Sequence, residues 1–272
     1  MRAGSVNGGG QADMAFWSKR SKTNGGQAFN LSQDVYAAFE NVSLKLGDRV
    51  VLNSVSLELK ERRIGLVGLN GSGKSTLVRL LNGLRLPDSG AVRIFGAPTV
   101  DVTGDLPRHV GFVFQNPDHQ AIFPTVEEEI AFGLTQLGLP KKDAARDARA
   151  FLKLHDCERL AELPFSSLSE GQKQLICILA ILVMGPQILV LDEPLSSLDG
   201  LASRLILKKL GSLEQRIVMV SHDLSTFADF DRILWLDEGT IRMDGVPGDV
   251  LPAYSADLDR RAANAEAGGG AL

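Results

Sequence analysis

The stretch GLNGSGKST, Gly68 to Thr76, sets Gly68, Gly73, Lys74 and Ser75 at the spacing G-x-x-x-x-G-K-[ST]. Each residue type has a reason to be there. Glycines let successive backbone N–H groups converge on phosphate oxygens, and a helix start behind them adds partial positive charge. Lys74 can reach terminal phosphates, and the Ser75 hydroxyl suits Mg²⁺. Asn70, Gly71, Ser72 and Thr76 complete the candidate phosphate site. The alternative, a glycine-rich turn that binds nothing, conflicts with the context: the apolar run IGLV precedes the stretch and the helical LVRLLNGL follows it.

Two further strand ends carry groups that could act on a bound phosphate. QILVLDEP, Gln187 to Pro194, is a buried-strand pattern ending in Asp192 and Glu193. In a parallel sheet the C-terminal strand ends open onto the ligand crevice. There Asp192 would hold Mg²⁺ through water, and Glu193 could polarise the attacking water in phosphoryl transfer. VMVSH ends another such strand in His222, which could hydrogen-bond a γ-phosphate or hold the water in line. Solvated strand-end acids and a structural histidine are the plain alternatives, and the phosphate loop weighs against both.

A third constellation, SSLSEGQKQ, looks like a helix start able to hold an anion, yet it carries Glu170. With Ser169 as N-cap, Gln172 falls at the third helical position and the two form a capping box. Glu170 then takes the first helical position, where the dipole favours an acid by about 0.3–1 kcal/mol. Its side chain is expected to point away from any bound anion.

The elements that must position these groups follow from periodicity. Val42, Leu44 and Leu46 alternate with polar residues, as do Val55, Leu57 and Leu59, which predicts half-buried strands, antiparallel across a Gly47-Asp48 turn. Short apolar runs at Ile64 to Val67, Ile188 to Leu191 and Ile217 to Val220 alternate with helical stretches, the pattern of parallel strands covered on both faces. Residues from about 123 to 184 read as a helical lobe inserted between two core strands. Residues 1–34, rich in Gly, Ser, Asn and Gln, read as a flexible extension carrying Trp17 and a small basic cluster, and 258–272 as a flexible tail.

The bulk composition bounds the rest. With 272 residues and 44% apolar content the chain can fill a sizeable core. Its net charge of -4 lacks the basic excess of a nucleic-acid binder, so no nucleic-acid partner is expected. The longest apolar run, Leu175 to Met184, is about half of the roughly 20 residues a bilayer crossing needs. No secretory signal is evident, and Cys157 and Cys177 show neither metal nor redox spacing, which fits buried thiols in a reducing cytosol.

Taken in order, the phosphate loop, VFQNPDHQ at 113–120, LSEGQ at 168–172, LVLDEP, SSLD at 196–199 and VSHD at 220–223 resemble the motif set of an ABC-transporter ATPase subunit over roughly 36–257. The resemblance implies an α/β, P-loop NTPase fold: a RecA-like core, an antiparallel β layer and an inserted α-helical lobe, the ATPase domain spanning 35–257. It implies ATP and Mg²⁺, with Gln115 sensing the metal and moving with the lobe, and His222 as the switch histidine. Ser169, Gly171 and Gln172 would meet the ATP held by a second ATPase subunit, a homodimer partner in a head-to-tail sandwich, with Asp199 on the loop crossing that interface.

Phe114 to Pro140 is similar to the corresponding stretch of energy-coupling-factor transporter ATPases. That similarity implies a peripheral place on the cytoplasmic face of the membrane, a scaffold transmembrane subunit docking on region 114–124, and a substrate-binding membrane subunit. Ile122 and Phe123 would form part of the docking patch, or else belong to the lobe core. Transported cargo would be a vitamin, biotin being favoured by the short remainder after the last strand, or a cobalt or nickel ion. Rival readings are a conventional binding-protein-dependent importer and a non-transport ABC ATPase. Two departures stand out: Leu46 replaces the aromatic that usually stacks on adenine, leaving aliphatic surface or the Arg62 or Arg63 guanidinium for that task, and Leu175 replaces an arginine after GQKQ.

Overall fold

The computed structural model describes residues 29–267; the extension expected at the N-terminus lies outside the described residues up to 28. In chain order the strands are β1 (Ala37–Leu46), β2 (Arg49–Leu59), β3 (Arg63–Val67), β4 (Ser89–Ile94), β5 (Ala97–Pro98), β6 (Val110–Val113), β7 (Ile188–Asp192), β8 (Arg216–Val220), β9 (Arg232–Asp237) and β10 (Thr240–Gly245). The longer helices are α1 (Lys74–Leu81), α2 (Val126–Gln136), α3 (Lys141–Leu154), α4 (Glu170–Leu182), α5 (Gly200–Gly211) and α6 (Pro247–Ala267). The chain divides into two compact units, and β7 contributes to both: Leu189 ends a segment of one and Val190 opens a segment of the other.

The unit built from 29–103, 190–196 and the chain from 216 onward holds two sheets. One has the order β2-β1-β4-β5, its pairs antiparallel. Its β1–β2 hairpin turns over Gly47 and Asp48 and pairs Leu46 directly with Arg49. Inward residues Val42, Leu44, Val55, Leu57 and Leu59 are buried, as their alternation predicts. Leu46 instead leaves the core and is 43% exposed. In the other sheet β3 lies between β8 and β9, parallel to both, with β10 antiparallel at the edge. Ile64, Leu66, Val67 and Ile217 to Val220 are nearly inaccessible, which is why these strands read as unbroken apolar runs.

The other unit takes in 104–189 and 197–215. Its helix α2 packs on α3 and α4 through Val126, Ile130, Leu134, Ala144 and Ala148, all buried. It is wider than the 123–184 stretch expected for a helical lobe, because β6 and α5 also pack on α4. Cys157 and Cys177 are buried free thiols, and burial pushes both thiols up, so they are packing groups.

Two boundaries differ from the sequence reading. The extension does not run to residue 34: the Asn30 N–H donates to the Phe95 carbonyl at 2.9 Å and ties this stretch to the β4 end. Nor does a flexible tail begin at 258, because α6 continues to Ala267. Asp237 at the end of β9 fixes it in place by pairing with Arg261, and within the helix Asp257 pairs with Arg260 and Arg261.

Candidate active site

Strand β3 ends at Val67, the chain swings through Gly68 to Gly73, and α1 begins at Lys74. Gly73 caps this helix in a left-handed conformation (φ 105°) with no side-chain hydrogen bond, and the first turn carries no acid. The helix-start N–H groups are therefore left for an external anion. Lys74 is only 5% exposed and folds over the loop, its Nζ donating to the carbonyls of Gly68 at 2.8 Å and Leu69 at 3.0 Å. Burial holds its pKa below the usual lysine range, against the pull of Glu193 and Asp192.

Facing the helix start, the Ser75 hydroxyl donates to Asp192 Oδ1 at 2.9 Å, and Arg79 pairs with Oδ2 at 3.3 Å. Burial pushes Asp192 up, and Ser75 and Arg79 counter it. An adjacent hydroxyl and carboxylate are the hard oxygen donors that Mg²⁺ takes alongside phosphate oxygens, so these two residues fit that ion. Glu193 follows in a left-handed conformation, φ 54°, uncommon for a residue with a side chain. Its N–H donates to the Val220 carbonyl at 3.1 Å, which locks the turn, and its Oε1 lies 2.7 Å from His222 Nε2.

Asn70, Gly71, Gly73, Lys74, Ser75, Thr76 and Glu193 line one cavity together with Leu46, Arg49 and Val51. Gly68 and Ser72 lie behind it: a Cβ on Gly68 would fall 2.2 Å from the Leu236 carbonyl oxygen and 2.8 Å from Ser72 Oγ. The non-phosphate end of the cavity also corrects an expectation. Arg62 and Arg63 belong to the opposite end of β3, roughly 15 Å from the loop at the rise of a strand. Arg49 lines the cavity instead, its Nη2 donating to the Gly71 carbonyl at 3.1 Å beside its cross-strand partner Leu46. The signal was in the sequence: a two-residue turn at Gly47-Asp48 makes 46 and 49 opposite neighbours.

In the other unit the capping box forms as the spacing requires. Ser169 Oγ accepts the Gln172 N–H, and Gln172 Oε1 accepts the Ser169 N–H at 3.0 Å. A Cβ on Gly171 would come within 2.8 Å of the Ala202 side chain, so only glycine lets α4 approach the start of α5. Asp199 caps α5, its Oδ1 accepting from the amides of Leu201 at 2.9 Å and Ala202 at 2.8 Å. Gln115 is exposed just after β6.

Comparison with known proteins decides what this arrangement belongs to. Residues 52–196 match the family described as ABC transporter. The biotin transport ATP-binding protein BioM of Rhodobacter capsulatus is 44% identical over 79% of this chain and 92% of its own length. The chain belongs to the ABC transporter ATP-binding proteins.

Within that family it groups with energy-coupling-factor ATPases. The energy-coupling factor transporter ATP-binding protein EcfA of Syntrophomonas wolfei subsp. wolfei is 38% identical over 77% of this chain and 79% of that protein. Among solved structures, cbiO1 from Clostridium perfringens, part of the ABC transporter complex cbiONQ, superposes with a TM-score of 0.72 at 29% identity, covering 81% of this chain and 92% of that one. ABC transporter ATP-binding proteins bind ATP and hydrolyse it to drive transport, so this protein is an ATP hydrolase.

Sequence reasoning did not single out Gln120 or Glu129, which shape this ABC protein's segment after β6. Gln120 Oε1 accepts the Phe114 N–H at 3.0 Å and its Nε2 donates to the Cys177 carbonyl at 3.0 Å. Buried Glu129 accepts the N–H groups of Ile122 at 2.8 Å and Phe123 at 2.9 Å. The two apolar residues expected to share one fate are thereby split: Phe123 stacks on Phe132 at 5.0 Å, while Ile122 stays 70% exposed.

Glu170 lies 3.0 Å from Lys173 Nζ, which also reaches Asp118 at 3.0 Å. The carboxylate thus pairs with a cation one turn along its own helix, with no need of a ligand to explain it. Glu170→Gly is expected to change ATPase turnover of the assembled transporter only a few-fold; a change of two orders of magnitude would place the carboxylate against the nucleotide.

Proposed function

We propose that this chain is the ATP-hydrolysing subunit of an energy-coupling-factor importer, bound peripherally at the cytoplasmic face of the membrane, with biotin as the favoured cargo. The observation carrying the chemistry is the Glu193 carboxylate, at the edge of the phosphate-loop cavity and 2.7 Å from His222. Lys74 and the helix-start N–H groups would grip the β- and γ-phosphates, for which Lys74 exchanges its bonds to Gly68 and Leu69. Ser75 and Asp192 would hold Mg²⁺, which supplies charge neutralisation on the phosphates. Glu193 would orient the attacking water and take up its proton, with His222 fixing the carboxylate.

Ser169, Gly171, Gln172 and Asp199 would meet the nucleotide of a second copy, so turnover requires a dimer. None of the described helices is long and apolar enough to cross a membrane. The transport path is therefore assigned to membrane partners, and similarity to a biotin transport ATP-binding protein supports that cargo.

Ile122 is the anchor of the assigned docking segment. An isoleucine side chain passing from exposed to buried contributes about 1.5–3 kcal/mol, and a carboxylate in its place would leave a charge in an apolar seat. Ile122→Asp is expected to lose co-purification with the scaffold membrane subunit while keeping MgATP affinity within twofold. Recovery of ribosomes or DNA with the unsubstituted chain would overturn the importer reading. Uptake of labelled biotin by the complex, set against labelled cobalt and nickel, assigns the cargo.

A further inference from the structure

The nucleotide cavity has two unlike walls. One is the phosphate loop with Glu193, and the other is the face of the β1–β2 hairpin that carries Leu46, Arg49 and Val51. These three share a face because Leu46 lies opposite Arg49 across the turn and Val51 follows two residues on. Strand β2 runs directly beside the loop, since a Cβ on Gly73 would fall 2.8 Å from the Val51 carbonyl oxygen. Arg49 stands two residues back from that contact, roughly 7 Å at the rise of a strand.

A nucleotide whose phosphates lie at the helix start has this second wall for its nucleoside. Exposed Leu46 and half-buried Val51 offer aliphatic side chains with no hydrogen-bonding group. Among the described residues lining the cavity none is aromatic, so the largest planar surface there is the Arg49 guanidinium. Its bond from Nη2 to the Gly71 carbonyl, 3.1 Å, holds the group at the cavity edge and uses one of its five N–H groups. No carboxylate among the described residues pairs with it. A guanidinium anchored by its rim keeps its plane for stacking, which its weak hydration favours.

We propose that Arg49 is the nucleobase platform of this site, its guanidinium stacking on the base while Leu46 and Val51 support the rest of the nucleoside. The inference rests on the phosphate-site reading above. Stacking acts only on a ligand that has a base, and it is indifferent to the base's edges. Strong rejection of an analogue needs a wall that hydrogen-bonds those edges, and Leu46 and Val51 have no side-chain group to do so. The site therefore rewards a purine without choosing between adenine and guanine. The competing role for the arginine is attraction of the phosphates, and a bare triphosphate separates the two.

The test measures calorimetric Kd of the full chain for MgATP, MgGTP and magnesium tripolyphosphate. Unsubstituted, the chain is expected to bind the two nucleotides within about threefold of each other. Arg49→Ala, at an exposed hairpin position, is expected to weaken both about three- to tenfold and to leave tripolyphosphate within about twofold. Arg49→Lys keeps the charge but loses the plane, and should behave like Arg49→Ala. Equal weakening of tripolyphosphate, or recovery by lysine, would assign the arginine to the phosphates or to the loop and overturn the proposal. An unchanged Kd for both nucleotides would overturn it as well, and a larger preference for one purine would show that base edges are read instead. If the unsubstituted chain binds neither MgATP nor tripolyphosphate, the phosphate-site reading fails first, and this inference with it.

Discussion

Replacing Glu193 by glutamine is expected to lower ATP hydrolysis by the assembled transporter about 10²–10³-fold while MgATP binding stays within a few-fold. The substitution is nearly isosteric, so the left-handed backbone at this position costs the same in both proteins and the comparison isolates the carboxylate. Glutamine can still hydrogen-bond His222 across the 2.7 Å gap. What it loses is the capacity to accept a proton from water, and a bystander carboxylate would show no such loss. Phosphate release measured beside nucleotide binding separates the outcomes: a wild-type rate removes Glu193 from the chemistry, and lost binding would mean that it shapes the cavity instead. Because the acid is held by its own N–H to Val220 and by His222, both at the end of β8, the strand pair β7–β8 sets its position.

That placement was legible from sequence because it depends on local rules. Gly68 to Thr76 is a strand, a turn and a helix in succession, and Asp192 and Glu193 end an apolar run that can only be a buried strand. The Ser169–Gln172 box needs four residues and no tertiary information. Other features depend on register or on distant partners. Arg49 enters the cavity because a two-residue turn sets it opposite Leu46, while Arg62 and Arg63 are equally basic but emerge at the wrong strand end. Helix α6 shows the second kind of failure. Pro252 argues against a long helix starting at Pro247, yet Pro247 occupies the first position, where no N–H is needed, the alanines of the far turns favour helix, and Asp257 with Asp237 fixes those turns through arginines. Ile122 and Phe123 are adjacent and alike, and only the Glu129 carboxylate, seven residues on from Ile122, decides which one faces out.

Lys74→Ala should abolish measurable nucleotide binding, with a loss of about 100-fold or more, since two charge-assisted bonds to phosphate oxygens are worth roughly 1.5–3 kcal/mol each. Burial lowers the Lys74 ammonium and raises the Asp192 carboxyl, so for both groups the charged form carries a desolvation cost. A triphosphate beside Lys74 and a divalent cation beside Asp192 would favour those charged forms, so binding would offset part of that cost. Alanine at 74 removes the cation but leaves the Gly68 and Leu69 carbonyls without their donor, so the loop also loses its internal tie. Calorimetry with MgATP beside thermal unfolding distinguishes the two consequences. Lost binding at a nearly unchanged Tm assigns Lys74 to the phosphates, whereas retained affinity at a lowered Tm would make it a strut of the loop and leave the phosphate charge to the helix start and Arg49.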